Sequence, residues 1–144
     1  MKPAMIVQVQ RSFKDVAPIA DAIGTTFYDR LFEVHPDLRP LFPDDIPAQA
    51  KKLVQTLAMI VNSLHRLDAI HPEIEALACR HKDYGVVDDH YTMVGEALIW
   101  TLEHHLGKAF TPQIKLAWQT AYNVLADLMI YAANQPTLRL RLRR

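Results

Sequence analysis

An all-α fold is what this chain predicts, on three observations. Only four glycines occur in 144 residues. Apolar residues recur at i, i+3, i+4 and i+7 over long stretches. Proline and glycine fall mostly at the ends of those stretches, where they start or stop helices. About seven helices are expected, with no credible strand in the body of the chain. The length suits one domain with a single core, able to bury about two thirds of the surface its unfolded form exposes. Half the residues are apolar and 22% are charged, a balance that excludes wholesale disorder.

Taken in order, the first helix is expected between about Val7 and Ala20, disturbed by Pro18. The second runs from about Asp21 to Val34 and buries Ile23, Phe27, Tyr28, Leu31 and Phe32. It stops before His35-Pro36 because a proline disfavours helical backbone in the residue before it. Tyr28 thus enters the core with a hydroxyl that needs a partner. The stretch HPDLRPLFPDDIP is too rich in proline for a long helix, so three-residue turns are expected, with Phe42 as an aromatic plug. From Pro47 one helical face carries Ala50, Leu53, Val54, Leu57, Ile60, Val61 and Leu64, and Gln49 lies one turn before Leu53 on that side. Pro72 opens the next helix at its first turn. Asp88 or Asp89 caps a helix bearing Tyr91, Val94, Leu98, Leu102 and Leu106, ended by Gly107. Thr111-Pro112 begins the last long helix, with Ile114, Ala117, Trp118, Ala121, Leu125, Leu128 and Ala132 inward.

Charge is unevenly spread. Residues 135–144 hold Arg139, Arg141, Arg143 and Arg144 and no acid, which leaves 12 basic and 16 acidic residues in 1–134, a balance of −4. The organisation expected is therefore one domain over 1–134 and a basic tail over 135–144. The tail alternates leucine and arginine, and an isolated strand of that kind is unstable in water. A disordered, charge-solvated end is the plain expectation, and contact with an acidic partner or an anionic membrane surface is the functional one. No basic patch interleaved with aromatics occurs in the body, which argues against nucleic-acid recognition. No run is long and apolar enough to cross a membrane and the start lacks a secretory leader pattern, so a cytoplasmic location is expected. The single Cys79 has no partner for an internal disulfide.

His81 stands out chemically. Ile74, Leu77, Ala78 and His81 lie at i, i+3, i+4 and i+7, so the imidazole faces inward, and Gly85 is placed to end its helix. A buried imidazole either finds a hydrogen-bond partner or ligates a metal, since an unsatisfied buried polar group costs about 1–3 kcal/mol. His65, His71, His90, His104 and His105 fall on other faces or in turns and read as solvated.

In order and spacing, several residue groups together resemble a globin, specifically the bacterial single-domain globins related to the haem domain of flavohaemoglobins. These are Phe27-Tyr28 with Leu31-Phe32, the run from His35 to Phe42, Gln49 with Leu53, Arg80-His81 with Gly85-Val86, Tyr91 with Val94-Gly95-Glu96, and Ala117-Trp118 with Ala121-Tyr122. The resemblance covers about Ser12 to Ala132. It implies a globin fold around haem b, held noncovalently because no C-x-x-C-H attachment stretch exists. By the same resemblance His81 is the proximal iron ligand and Phe42 stacks on the haem. Tyr28, Gln49 and Leu53 form the distal pocket, and Val86 and Tyr91 line the proximal side. Lys52 and Arg80 stand where either can reach the haem edge. The family pattern also has a glutamate near the end of the last helix, and here that position falls on Ala133. An acid hydrogen-bonded to the proximal histidine would push electron density toward the ligand, so its absence weakens the case for peroxidase-like chemistry.

The implied function is reversible binding of oxygen, nitric oxide or another small ligand, with oxygen transport as one use. The competing reading is nitric oxide dioxygenase activity serving nitric oxide detoxification. With no flavin- or nicotinamide-binding sequence in these residues, that reading needs a separate reductase. A gas sensor is the third class and needs an output partner. Oligomeric state is not legible.

Overall fold

In the computed structural model, which describes residues 1–135, six α-helices are joined by short 3₁₀ segments, and no strand occurs among the described residues. Helix α1 spans Pro3–Val16, earlier than periodicity places it. Pro3 in its first turn fixes φ and gives up an N–H that has no helical partner there anyway. Pro18 does more than disturb this helix: Ala17–Ile19 forms a 3₁₀ turn, and α2 starts afresh at Ala20–Val34. The proline-rich stretch forms a 3₁₀ segment over Pro36–Leu41, as expected.

Helix α3 covers Ile46–Asn62, and Asp45 caps it by accepting from the Ala48 N–H at 3.1 Å. A 3₁₀ stretch over Leu64–Ile70, kinked at Arg66, leads to α4, His71–Asp83, with Pro72 in its first turn. Helix α5 is Asp88–Leu106. Neither Asp88 nor Asp89 is its cap. Val87 holds that position, and the His90 ring accepts from the Val87 N–H at 3.1 Å, a cap supplied from inside the helix. Gly85 and Gly107, with φ of 94° and 55°, turn the chain out of α4 and α5 through backbone conformations that other residues rarely adopt. Helix α6 is Pro112–Ala133, capped by Thr111. The expectation of a disordered basic tail falls on residues 136–144, outside the described residues.

Two crossings fix how these helices pack. At Gly24 an added Cβ would lie 2.7 Å from Ala50 Cβ, so α2 and α3 touch backbone to backbone. Between α1 and α6 the buried indole N–H of Trp118 donates to Ser12 Oγ at 2.8 Å, and that hydroxyl in turn donates to the Gln8 carbonyl at 2.7 Å. Phe13 packs beside the indole, and Val9, Val16, Ala117 and Ala121 complete the apolar layer around it. The Gln10 amide ties α1 to α3 through the Val61 carbonyl at 3.0 Å.

Ser12→Ala leaves the Trp118 N–H buried without an acceptor and is expected to lower stability by about 1–3 kcal/mol. Urea denaturation measures this. Adding Trp118→Phe to Ser12→Ala should cost less than the two single losses summed, because the orphaned donor is then gone; strict additivity would show that the bond contributes nothing.

Candidate functional site

The α2–α3 crossing brings the first group of site residues together. Tyr28 stands one turn beyond Gly24 on α2, and Gln49 adjoins Ala50 on α3, so the contact that closes the two helices also sets the phenol against the amide. Tyr28 is 2% exposed and shares a side-chain hydrogen bond with Gln49. Its ring meets Phe27 edge-on at 4.9 Å and Phe42 edge-on at 5.4 Å, and it lies 5.8 Å from Phe32. Phe42 and Phe32 are themselves edge-to-face at 5.4 Å, and Leu53 packs against the same core. Burial pushes the Tyr28 hydroxyl up to about 12, and the Gln49 hydrogen bond opposes that only partly.

The second group forms around α4. His81 Nδ1–H donates to the Leu77 carbonyl at 2.8 Å, one helical turn back. A carbonyl only accepts, so the proton sits on Nδ1 and Nε2 keeps its lone pair. Burial holds the imidazole below its ordinary pKa, and the nearby Arg80 charge acts in the same direction, so the ring is neutral. The Tyr91 ring lies nearly parallel to it, 6.4 Å away at 23°, and the Val86 N–H donates to the His81 carbonyl at 3.0 Å. Burial also lifts Tyr91 to about 12, aided by the Asp88 carboxylate. Ala133 is buried in an apolar cluster with Ile74, Ala78, Met129 and Ala132. No hydrogen bond or ring contact joins the Tyr28 group to the His81 group among the described residues. Lys52 and Arg80 are exposed on α3 and α4.

Sequence reasoning missed what holds Tyr91. From α6 the Tyr122 hydroxyl donates to the Tyr91 carbonyl at 2.6 Å, and its ring fills a slot where a Cβ on Gly95 would lie 2.6 Å from it. A glycine inside an apolar helical stripe was the available signal. Two of the histidines read as solvated are engaged instead: His90 caps α5, and His105 Nε2 shares a 2.8 Å hydrogen bond with Thr26. His104 stacks on Trp100, which lies beneath the Arg30 guanidinium. A groove of about 680 Å³ along α5 and α6 contains Tyr91 but none of Tyr28, Phe42, Gln49 or His81.

These residues suit a haem. The donor set offers one neutral imidazole with a free Nε2 and, apart from it, apolar and aromatic walls that include the half-buried Phe42, Leu53 and Val94. The sequence matches the family described as Globin over residues 25–129. The chain belongs to the globin family. Flavohemoproteins of Bacillus subtilis (strain 168) and Bordetella parapertussis are 32% identical over 124 residues and 31% identical over 130, covering 81% and 85% of this chain. They cover only 31% and 32% of those relatives, so the chain spans about a third of the length of the curated relatives it matches. Among solved structures, an engineered carbene transferase from Rhodothermus marinus, described as a candidate nitric oxide dioxygenase, superposes with a TM-score of 0.87 at 28% identity over 98% of this chain and 99% of its own. A bacterial globin from Campylobacter jejuni gives 0.84 at 21% identity over 92% and 96%, a likeness of fold. The family and its flavohemoprotein relatives imply haem binding and small gaseous ligands. No helix among the described residues is long and apolar enough to cross a membrane.

Tyr28 and Tyr91, both raised from 10 to about 12, favour the neutral phenol in the folded state. Their contribution to stability is complete below pH 10, where the unfolded phenols are also protonated, and is lost as the pH rises through 12. The urea midpoint is expected to fall across this window, and Tyr28→Phe should reduce the drop. A midpoint flat from pH 10 to 12 would mean that neither phenol is desolvated.

Proposed function

We propose that this globin reversibly binds oxygen and other small ligands through a noncovalent haem b, and that it works in the cytoplasm. One observation carries the reading: the His81 imidazole commits its Nδ1–H to the Leu77 carbonyl and leaves Nε2 with a free lone pair, the tautomer that would hold a haem iron. A bound haem would supply an iron able to take up a diatomic gas.

The chain's residues then take these roles. His81 holds the metal, with Val86 fixing its backbone and Tyr91 backing its ring. Phe42 and Leu53 form apolar walls that keep water away. Lys52 and Arg80 are the cations proposed for the acidic edge of the cofactor. Gln49 is the polar neighbour of the Tyr28 phenol proton. Because its pKa is raised, Tyr28 keeps that proton throughout the neutral range and serves as a fixed donor to a ligand that gathers negative charge.

A second reading, nitric oxide dioxygenase, is favoured by the flavohemoprotein relatives and by the Rhodothermus marinus neighbour. In that reaction one nitric oxide, one oxygen and one electron give one nitrate. The electron has to come from a reductase, and Tyr28 and Gln49 orient the oxygen.

His81→Ala is expected to abolish stable haem retention, or to leave a haem whose absorbance spectrum is restored by added imidazole. An unchanged spectrum and haem affinity would make His81 purely structural. Tyr28→Phe should speed oxygen release about 10- to 100-fold, the kinetic equivalent of losing a roughly 1.5–3 kcal/mol hydrogen bond to a charged acceptor. Gln49→Leu should do less, and equal release rates for wild type and Tyr28→Phe would refute the donor assignment. Nitric oxide consumption with nitrate as product, measured in oxygen with a generic reductase, separates the two readings.

A further inference from the structure

Arg39, in the 3₁₀ segment Pro36–Leu41, holds both polar backbone groups of Phe42. The Phe42 N–H donates to the Arg39 carbonyl at 3.1 Å, and the Arg39 guanidinium donates back to the Phe42 carbonyl at 3.2 Å. The same guanidinium donates to the Pro43 carbonyl at 3.1 Å and to the Asp44 carbonyl at 3.4 Å, so three successive carbonyls converge on it. Its central carbon lies 5.4 Å from the centre of the Phe32 ring, the ring that Phe42 meets edge-to-face. Asp37, Asp44 and Asp45 are close in sequence, yet Arg39 forms no ion pair among the described residues. Its donors are directed at backbone.

The stretch from Phe42 to Asp45 lies between that 3₁₀ segment and α3, outside any helix. Carbonyls there have no helical partner and must find another. Pro43 holds Phe42 extended, at φ −113° and ψ 152°, and offers no N–H of its own. Tyr28 is locked into α2, so of the two rings that meet edge-on at 5.4 Å, Phe42 is the one carried on non-helical backbone. We propose that Arg39 is a positioning residue for ligand size: it holds the Phe42 ring against Tyr28, and through that ring it limits what fits beside the Tyr28 hydroxyl. The inference rests on the reading of Tyr28 and Phe42 as walls of the ligand pocket. A diatomic ligand then leaves the ring in place, whereas a ligand with an alkyl chain has to push it aside against the Arg39 contacts. Arginine suits this task because its planar fork addresses several carbonyls at once and lies against a ring. A lysine supplies only a point charge on a flexible stem.

Arg39→Lys and Arg39→Met test this on the full chain with haem, since the first keeps the charge and the second keeps an apolar stem near Phe32. Amide exchange at Phe42, read by NMR on the carbon monoxide form, should quicken about tenfold in both variants. The second measurement is association of methyl and n-butyl isocyanide with the ferrous protein. In both variants n-butyl isocyanide should bind about tenfold faster, while methyl isocyanide changes by less than about threefold. In a Phe42→Ala background the same Arg39 substitutions should leave both isocyanide rates unchanged, because the effect runs through that ring. Unchanged exchange at Phe42 would overturn the proposal. So would faster exchange with the same discrimination between the two isocyanides, which would make Arg39 a structural residue only. A wild-type chain that binds neither isocyanide would remove the oxygen-binding reading and this proposal with it, whatever the exchange rates.

Discussion

The contact between Gly24 and Ala50 governs this molecule's chemistry more than any functional side chain does. Two helices packed through ordinary side chains keep their axes 8–10 Å apart. Here the missing Cβ lets α2 and α3 close in until an added methyl would overlap. Tyr28 lies one turn beyond Gly24 and Gln49 adjoins Ala50, so the closeness of the helices sets the phenol beside the amide. The aromatic group of Phe27, Phe32 and Phe42 then holds the phenol on its remaining sides. Packing on these sides holds the phenol in place, which is what its proposed role as a preorganised donor would require.

On the other side, control of the imidazole is divided among three helices. Its tautomer is set within α4 by the Leu77 carbonyl, its ring is backed from α5 by Tyr91, and Tyr91 is tied to α6 through Tyr122. No acid is inserted into this arrangement. The place where the related pattern carries a glutamate is filled by Ala133 in an apolar cluster. The histidine is therefore a neutral imidazole hydrogen-bonded to a backbone carbonyl, and in the proposed role of iron ligand it would be a weaker electron donor than one bonded to a carboxylate.

The helical class, the order of the elements and the inward face of His81 were legible because they are written in local periodicity and in proline and glycine positions, whereas the grouping of Tyr28, Phe42, Gln49 and Leu53 rested on the resemblance to globins. Ile74, Leu77, Ala78 and His81 mark one face whatever surrounds them, and Leu77 one turn before His81 already implies the carbonyl within reach. What stayed hidden depends on partners far along the chain or on competition between near-equal alternatives. Periodicity could not show that Gly95 makes room for Tyr122, or that His105 reaches Thr26. Asp88 and Asp89 are better intrinsic caps than Val87, yet His90 supplies the cap from within α5 and the helix begins one residue earlier than they would allow. The start of α1 at Pro3 was missed for a related reason, since Met5 and Ile6 pack on a core assembled from distant segments.

The bond between Trp118 and Ser12 joins residues 106 apart in sequence. Closing a loop of that length costs about 2 kcal/mol more than closing one of ten residues, so α1 docks only when most of the remaining structure has already shortened the path. During synthesis this order is awkward. Within these helices α1 is made before the others, with Val9, Phe13 and Val16 along one side, and then waits for all of them before α6 can cover these residues. Until then α1 keeps an uncovered apolar side, and α6, the last of the six described helices to be made, is the one that removes it.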